Sequence, residues 1–197
     1  EQVGVMTTAQ VAAIDSGDVA SLKLEATAAL SVDQLKALST DQLSAMTNSQ
    51  VRQLSTQQID ALTTSQVAHM TTDQVSALTA VQVGALGTAQ VKALDSDQVA
   101  SLTTLQLGAL SDTQLAAVDT VDLDQLSTKQ IRALTGSAVS GMTTDQISSL
   151  TTAQVSTLGT SQKVHFIWQP YCVLTVTTHF SLSGMHIVLA TPLSGRL

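Results

Sequence analysis

The chain has 197 residues, enough for one domain or a domain with an appendage, and 44% of them are apolar while only 2% are aromatic. Such a chain can bury aliphatic side chains but lacks the large anchors that dominate most cores and interfaces. The formal net charge is −7, with all fifteen acidic residues between Glu1 and Asp145, so the composition argues against nucleic acid, whose binding depends on Lys and Arg at phosphates. The single cysteine, Cys172, excludes an intrachain disulfide framework.

From Gln2 to Ser161 the chain repeats an eight-residue unit twenty times without insertion or deletion. The consensus is Gln-Val-x-Ala-Leu-Thr-Thr-x, approached within one residue by Gln58–Ser65 and Gln98–Leu105. Lettering the octad a to h from Gln2, a is Gln in sixteen units, b is aliphatic in nineteen (Thr27 is the exception) and e is always Leu, Met, Ile or Val. Position f is Ser, Thr or Asp in seventeen, and d is Ala in eleven. Glu1 falls in register as the last residue of a preceding unit, as expected of a fragment of a longer array.

Position f and the next a form Ser/Thr-x-x-Gln, as in Thr71-Thr72-Asp73-Gln74. That spacing is a capping box, with the hydroxyl accepting from the third helical amide and the Gln returning to the cap amide. Position e then precedes the cap and the following b is the fourth helical residue, so Met70 and Val75 are placed as a hydrophobic staple. Each octad therefore predicts one helix of about two turns, running from g to e.

A single continuous helix is excluded. Eight residues at about 100° each let the apolar stripe drift about 80° per octad, so it would circle the helix and bury nowhere. A flat strand is excluded because b and e would point to opposite faces. The expected fold is all-α, a solenoid of very short capped helices with b and e lining an aliphatic core and small d residues allowing close approach. The alternative is a β-solenoid with three octads per coil, its faces realigned by bends. Helices this short need their neighbours to be stable.

Two places break the pattern. Octads 18–25 and 26–33 lose the Gln, put Lys23 at a cap and Thr27 in the core; around 136–141 two glycines enter and another Gln is lost. Weaker stacking is expected at both.

Most acids have a structural reading. Glu1, Glu25, Asp33, Asp41, Asp73, Asp97 and Asp145 occupy h, in the first helical turn, and Asp15, Asp95 and Asp119 are caps; both positions favour negative charge. Asp119, Asp122 and Asp124 cluster in sequence but lack the Gly and terminal Glu of a calcium loop. His69 takes a d position and reads as a half-exposed surface residue. No HExxH, P-loop, GxSxG or CxxC occurs. Catalytic, cofactor-binding and metal residues are therefore expected to be none, and the protein is expected not to be an enzyme. Stacked octads would align the Thr residues at g into hydroxyl rows suited to an ordered surface such as ice.

After Gln162 the text changes. Segment 163–197 holds all four aromatics, both prolines and three of four histidines. One reading is a cap with strands at Val173–Phe180 and His186–Ala190 around Ser183-Gly184. A second is membrane association, opposed by Gln169, Pro170 and the histidines. A third is a metal site from His165, Cys172, His179 and His186, whose spacings match no familiar zinc module. The favoured reading is an out-of-frame translation of further octads, since rare residue types appear just as the period stops. The boundaries are then an array over 1–162 and a non-repeat tail over 163–197.

The stretches Leu62-Thr63-Thr64-Ser65-Gln66-Val67 and Leu150-Thr151-Thr152-Ala153-Gln154-Val155 carry a resemblance. The chain over 2–162 resembles the Leu-Thr-Thr-x-Gln-Val-x-Ala-Leu octad arrays of large bacterial surface or secreted proteins, some of them described as adhesion or haem-utilisation proteins. That resemblance implies a non-enzymatic spacer or display segment at the cell surface or outside the cell, with another protein or an extracellular surface as partner. A local similarity to the first helix of TAL-effector repeats implies no DNA recognition, because the period is far shorter and no base-reading loop is present.

Overall fold

The computed structural model describes residues 3–162, 181–182 and 185–186. A 3-10 turn at Val3–Val5 leads into an array of short α-helices, one per octad. The first are α1 (Thr8–Ala12), α2 (Ser16–Val19), α3 (Leu24–Ala28), α4 (Val32–Ala37), α5 (Thr40–Ala45) and α6 (Asn48–Gln53). There follow α7 (Thr56–Asp60), α8 (Thr64–Ala68), α9 (Thr72–Ala77), α10 (Ala80–Gly84), α11 (Thr88–Lys92), α12 (Ser96–Ser101) and α13 (Thr104–Leu107). The last are α14 (Asp112–Ala116), α15 (Thr120–Leu123), α16 (Thr128–Ala133), α17 (Gly136–Ser140), α18 (Thr144–Ser149) and α19 (Thr152–Thr157).

The array is therefore all-α, and the β-solenoid alternative is excluded. Beyond it, Ser181 pairs antiparallel with His186 and Leu182 with Met185, on either side of Ser183-Gly184. Of the strands expected there only His186 is described, and the pairing begins at Ser181, just after the expected Val173–Phe180; the rest of the strands, metal ligands and membrane segment considered for 163–197 lies outside the described residues.

The helices start where the capping boxes place them. Both halves of the box are made at fourteen of these nineteen described helices, from Thr7 to Thr151. At Gly87, which has no side chain, only the return half exists, from the Gly87 N–H to Gln90 Oε1 at 2.7 Å. The helices stop earlier than the octad suggests. Position e is extended at Leu38, Met46 and Leu54, with ψ of 137°, 140° and 139°, because the residue before a cap must leave the helical region for the chain to turn. One apolar residue thus ends one helix and staples the next.

Each helix packs on the one three further along, α1 on α4 and α4 on α7, α2 on α5, α3 on α6, and so on through α16 on α19. Three octads, 24 residues, make one coil of the solenoid. From Leu30 to Leu150 every b residue and every e residue is buried, forming one continuous core. Apolar burial of this kind is the main driving force for folding.

Position a is buried as well, which the capping box alone does not require. Gln34, Gln42, Gln50 and the corresponding Gln of most later octads are among the buried polar residues. The extended e residue explains this. Its carbonyl cannot accept from the amide four residues on, because that amide is bound to the cap hydroxyl, as in Gln106 N–H to Thr103 Oγ1 at 3.3 Å. A buried carbonyl without a donor is costly. The Gln of the next coil supplies that donor. Gln106 Nε2 donates to the carbonyls of Leu78 at 2.7 Å and Val75 at 2.8 Å, while its Oε1 accepts from the Thr103 N–H at 2.7 Å. The 28-residue reach recurs at every a-position Gln from Gln42 to Gln162, joined at most of them by one of 31 residues and at Gln58 and Gln130 by one of 30. One side chain closes its own helix start and the corner of the coil before it.

The ladder has two gaps among the later coils. Asp122 occupies a buried a position and has no amide hydrogen for Leu94 and Val91; its Oδ1 accepts instead from Ser96 Oγ. Ala138 is fully buried and equally unable to donate. In the Ala138 octad the backbone comes close: a Cβ on Gly141 would lie 2.6 Å from Asp112 Cβ and 2.7 Å from its carbonyl oxygen. At 136–141, where weaker stacking is expected, the side-chain bridge is absent while the backbone contact with the coil before is tight. Gly84 differs, since a Cβ there would sit 3.4 Å from the Ala109 carbonyl.

Two sets of substitutions check this account by urea denaturation followed by circular dichroism. Gln106→Ala should cost about 1–3 kcal/mol by stranding buried backbone groups, and Gln106→Glu more, because it sets a carboxylate against two carbonyls. Asp122→Gln should raise stability by about 1 kcal/mol. Gly141→Ala should destabilise by about 1–3 kcal/mol through overpacking. Gly84→Ala should be neutral or stabilise by up to about 1 kcal/mol, since Ala favours helix over Gly.

Candidate functional site

With a, b and e committed to the interior, what remains for function is the outer surface. Positions h and c are three apart and lie side by side on one helix face, opposite the buried stripe. Because helix n stacks on helix n+3, the h and c residues form three columns. Face one comprises α1, α4, α7, α10, α13, α16 and α19; face two begins at α2 and face three at α3.

The acids sort unevenly onto these columns. Glu25, Asp73, Asp97 and Asp145 all occupy h on face three, and all are exposed. Asp33 lies on face one and Asp41 on face two, while Glu1 lies outside the described residues. Each of the six described h acids is in the first turn of its helix. The recurrence of acids at multiples of 24 residues is visible in the sequence, but it carries meaning only once the coil is known to hold three octads. An exposed acidic column is the opposite of what phosphate binding requires.

The cap acids behave differently from one another. Asp95 accepts from the Gln98 N–H and Asp15 from the Gly17 N–H, both at 2.8 Å. Asp119, expected to do the same, makes no side-chain cap bond. Its third helical residue is Asp122 rather than Gln, so two carboxylates replace a cap and its returning amide, and like charges at this spacing repel. Nor does the trio Asp119, Asp122 and Asp124 converge on a cation: Asp122 is buried while Asp119 and Asp124 are exposed. Among the described residues no group of three or more His, Cys, Asp or Glu side chains could hold a metal ion. His69 is exposed rather than half-exposed, its Nδ1–H donating to the Ser65 carbonyl at 2.7 Å.

The hydroxyl rows are short. Position f is spent on capping, so only g remains, and Thr stacks there in at most three successive coils: Thr40, Thr64 and Thr88 on face two, Thr104, Thr128 and Thr152 on face one. Asp112 ends the first run and Ala80 precedes the second.

Sequence reasoning overlooked three residues. Val81, Leu105 and Val121 are 70%, 79% and 64% exposed at h, where every other residue is small, polar or charged. Their signal was available as large apolar side chains at a position predicted to face water. Among the described residues no helix is long and apolar enough to cross a membrane.

No curated protein matches the chain. Segments 11–48, 43–72, 67–104, 81–112 and 115–152 each match the ALTTAQ repeat, a description that is itself the chain's d-to-a junction of Ala-Leu-Thr-Thr-x-Gln. With these segments spanning well over half of its 197 residues, the chain belongs to the ALTTAQ repeat family.

Proposed function

We propose that this chain is a non-enzymatic structural array, a spacer or display segment of a larger bacterial surface or secreted protein. The observation that carries this reading is the division of labour within the octad. Positions a, b and e hold nearly the same residues from coil to coil, whereas the outward h and c positions range over Gly, Ala, Ser, Thr, Gln, Val, Leu, Asp, Glu, Lys and Arg. A constant core beneath a freely varied surface suits a scaffold whose length and outer pattern matter, and repeat arrays behave this way because their stability comes from local contacts between neighbouring units. A catalytic constellation would demand fixed, differentiated residues at one place, and the outward columns offer graded patterns instead.

Adhesion or surface binding is the second reading, favoured by the stacked hydroxyls of Thr104, Thr128 and Thr152 on face one, all exposed.

Deleting 66–89, one whole coil, should shorten the distance between dyes placed near Thr8 and Thr152 by one coil while leaving helicity per residue unchanged. Deleting 66–73, one octad, should shorten it by about a third of a coil, because every octad offers nearly the same a, b and e residues to the one three units on, and should turn the later h and c residues onto the next face. A dye distance insensitive to the whole-coil deletion would defeat the spacer reading. Protease treatment of intact cells producing the full-length protein should release the array, and complete protection there would remove the surface placement. Inhibition of ice recrystallisation by the chain, abolished by T104K/T128K/T152K, would decide for the second reading.

A further inference from the structure

Face one carries a pattern that a spacer does not need. In order along the stack, α7 presents Gln57 and Asp60 at h and c, α10 presents Val81 and Gly84, α13 presents Leu105, with Gly108 just beyond its last turn, and α16 presents Lys129 and Arg132. An acidic layer, two apolar layers and a basic layer thus follow one another on a single column. Val81 and Leu105 are 70% and 79% exposed, and Gly84 and Gly108 beside them add no side chain. Asp60, Lys129 and Arg132 are all exposed.

We propose that this column is a self-association surface and that its occupant is a second copy of the chain, docked antiparallel. A two-fold axis lying in the interface, across the stack between α10 and α13, reverses the order of layers. It sets the apolar layer of α10 against that of α13 in the second copy, and α7 against α16. Asp60 then faces Lys129 and Arg132 of the second copy, twice over, as an isologous contact requires. A parallel arrangement would oppose Asp60 to Asp60 and the basic layer to itself, which like-charge repulsion disfavours. The order of charges on the column therefore selects both the partner and its direction.

The contact is small. At about 10 Å of helix width and about 9 Å of length per layer, four layers give a footprint of a few hundred Å², below the roughly 800 Å² per partner of a stable complex. The dimer belongs to the weak class and forms at high local concentration, as when copies are crowded on one surface.

Sedimentation equilibrium of the full chain up to about 1 mM should show a monomer–dimer equilibrium. Leu105→Lys should weaken it at least about tenfold, whereas Val121→Lys, on face three, should leave it unchanged; circular dichroism of each variant controls for folding. The charge pairing is tested by mixing. D60K and the double variant K129D/R132D should each associate poorly with themselves and form a mixed dimer when combined. A wild-type monomer throughout the range, equal losses from Leu105→Lys and Val121→Lys, or no mixed dimer from the two charge variants would each overturn the proposal.

Discussion

The glutamine at the third position of each helix is the interaction on which the solenoid rests. A helix of four to six residues leaves most of its backbone groups without intrahelical partners, and a corner every eight residues would strand them inside the core. The octad settles this with one side chain used at both ends. Its carbonyl oxygen takes the cap amide of its own helix, and its amide nitrogen takes the buried carbonyl of the apolar e residue one coil earlier, as Gln74 does with Thr71 and Met46. Among the described residues no buried side-chain nitrogen or oxygen lacks a partner. Asn is too short to span both contacts, and Glu keeps the acceptor while losing the donor, so Gln fits both demands. Where Asp122 or Ala138 stands instead, the helix persists on its apolar contacts but the bridge between coils is gone.

Because the interior is satisfied by three positions, the outer ones are free, and the winding gathers them into columns. Residues 24 apart become neighbours, while residues eight apart point to different sides. Four of the h acids are in this way gathered along the column that starts at α3, and Val81 and Leu105 meet Lys129 and Arg132 along the column that starts at α1.

Much of this was legible in the sequence, for a physical reason. Capping boxes and staples act over three to five residues, so Thr71, Gln74, Met70 and Val75 announced a helix start with no knowledge of the rest of the chain. The b and e positions announced the core by their periodicity alone. The number of octads per coil was not legible, because it depends on the angle each extended e residue imposes on the corner, and no local signal encodes that angle. Three consequences were hidden with it: the distant target of the glutamine amide, the grouping of Glu25, Asp73, Asp97 and Asp145 on one side, and the adjacency of Val81 and Leu105. The silence of the Asp119 cap was missed for a nearer cause, since a cap was inferred from residue type without asking what Asp122 returned to it.

The backward reach of the glutamine also gives the array a direction in time. A corner formed at Leu78 is completed only when Gln106 arrives, 28 residues later, and every coil waits in the same way for the next. A chain emerging from the ribosome at about 5–20 residues per second therefore holds one unfinished coil behind its growing end for a second or a few seconds. Folding can advance steadily from the amino terminus at the pace of synthesis, with contacts of short and uniform sequence separation and no long-range closure to await. The exposed, incomplete backbone is confined at any moment to that single travelling coil.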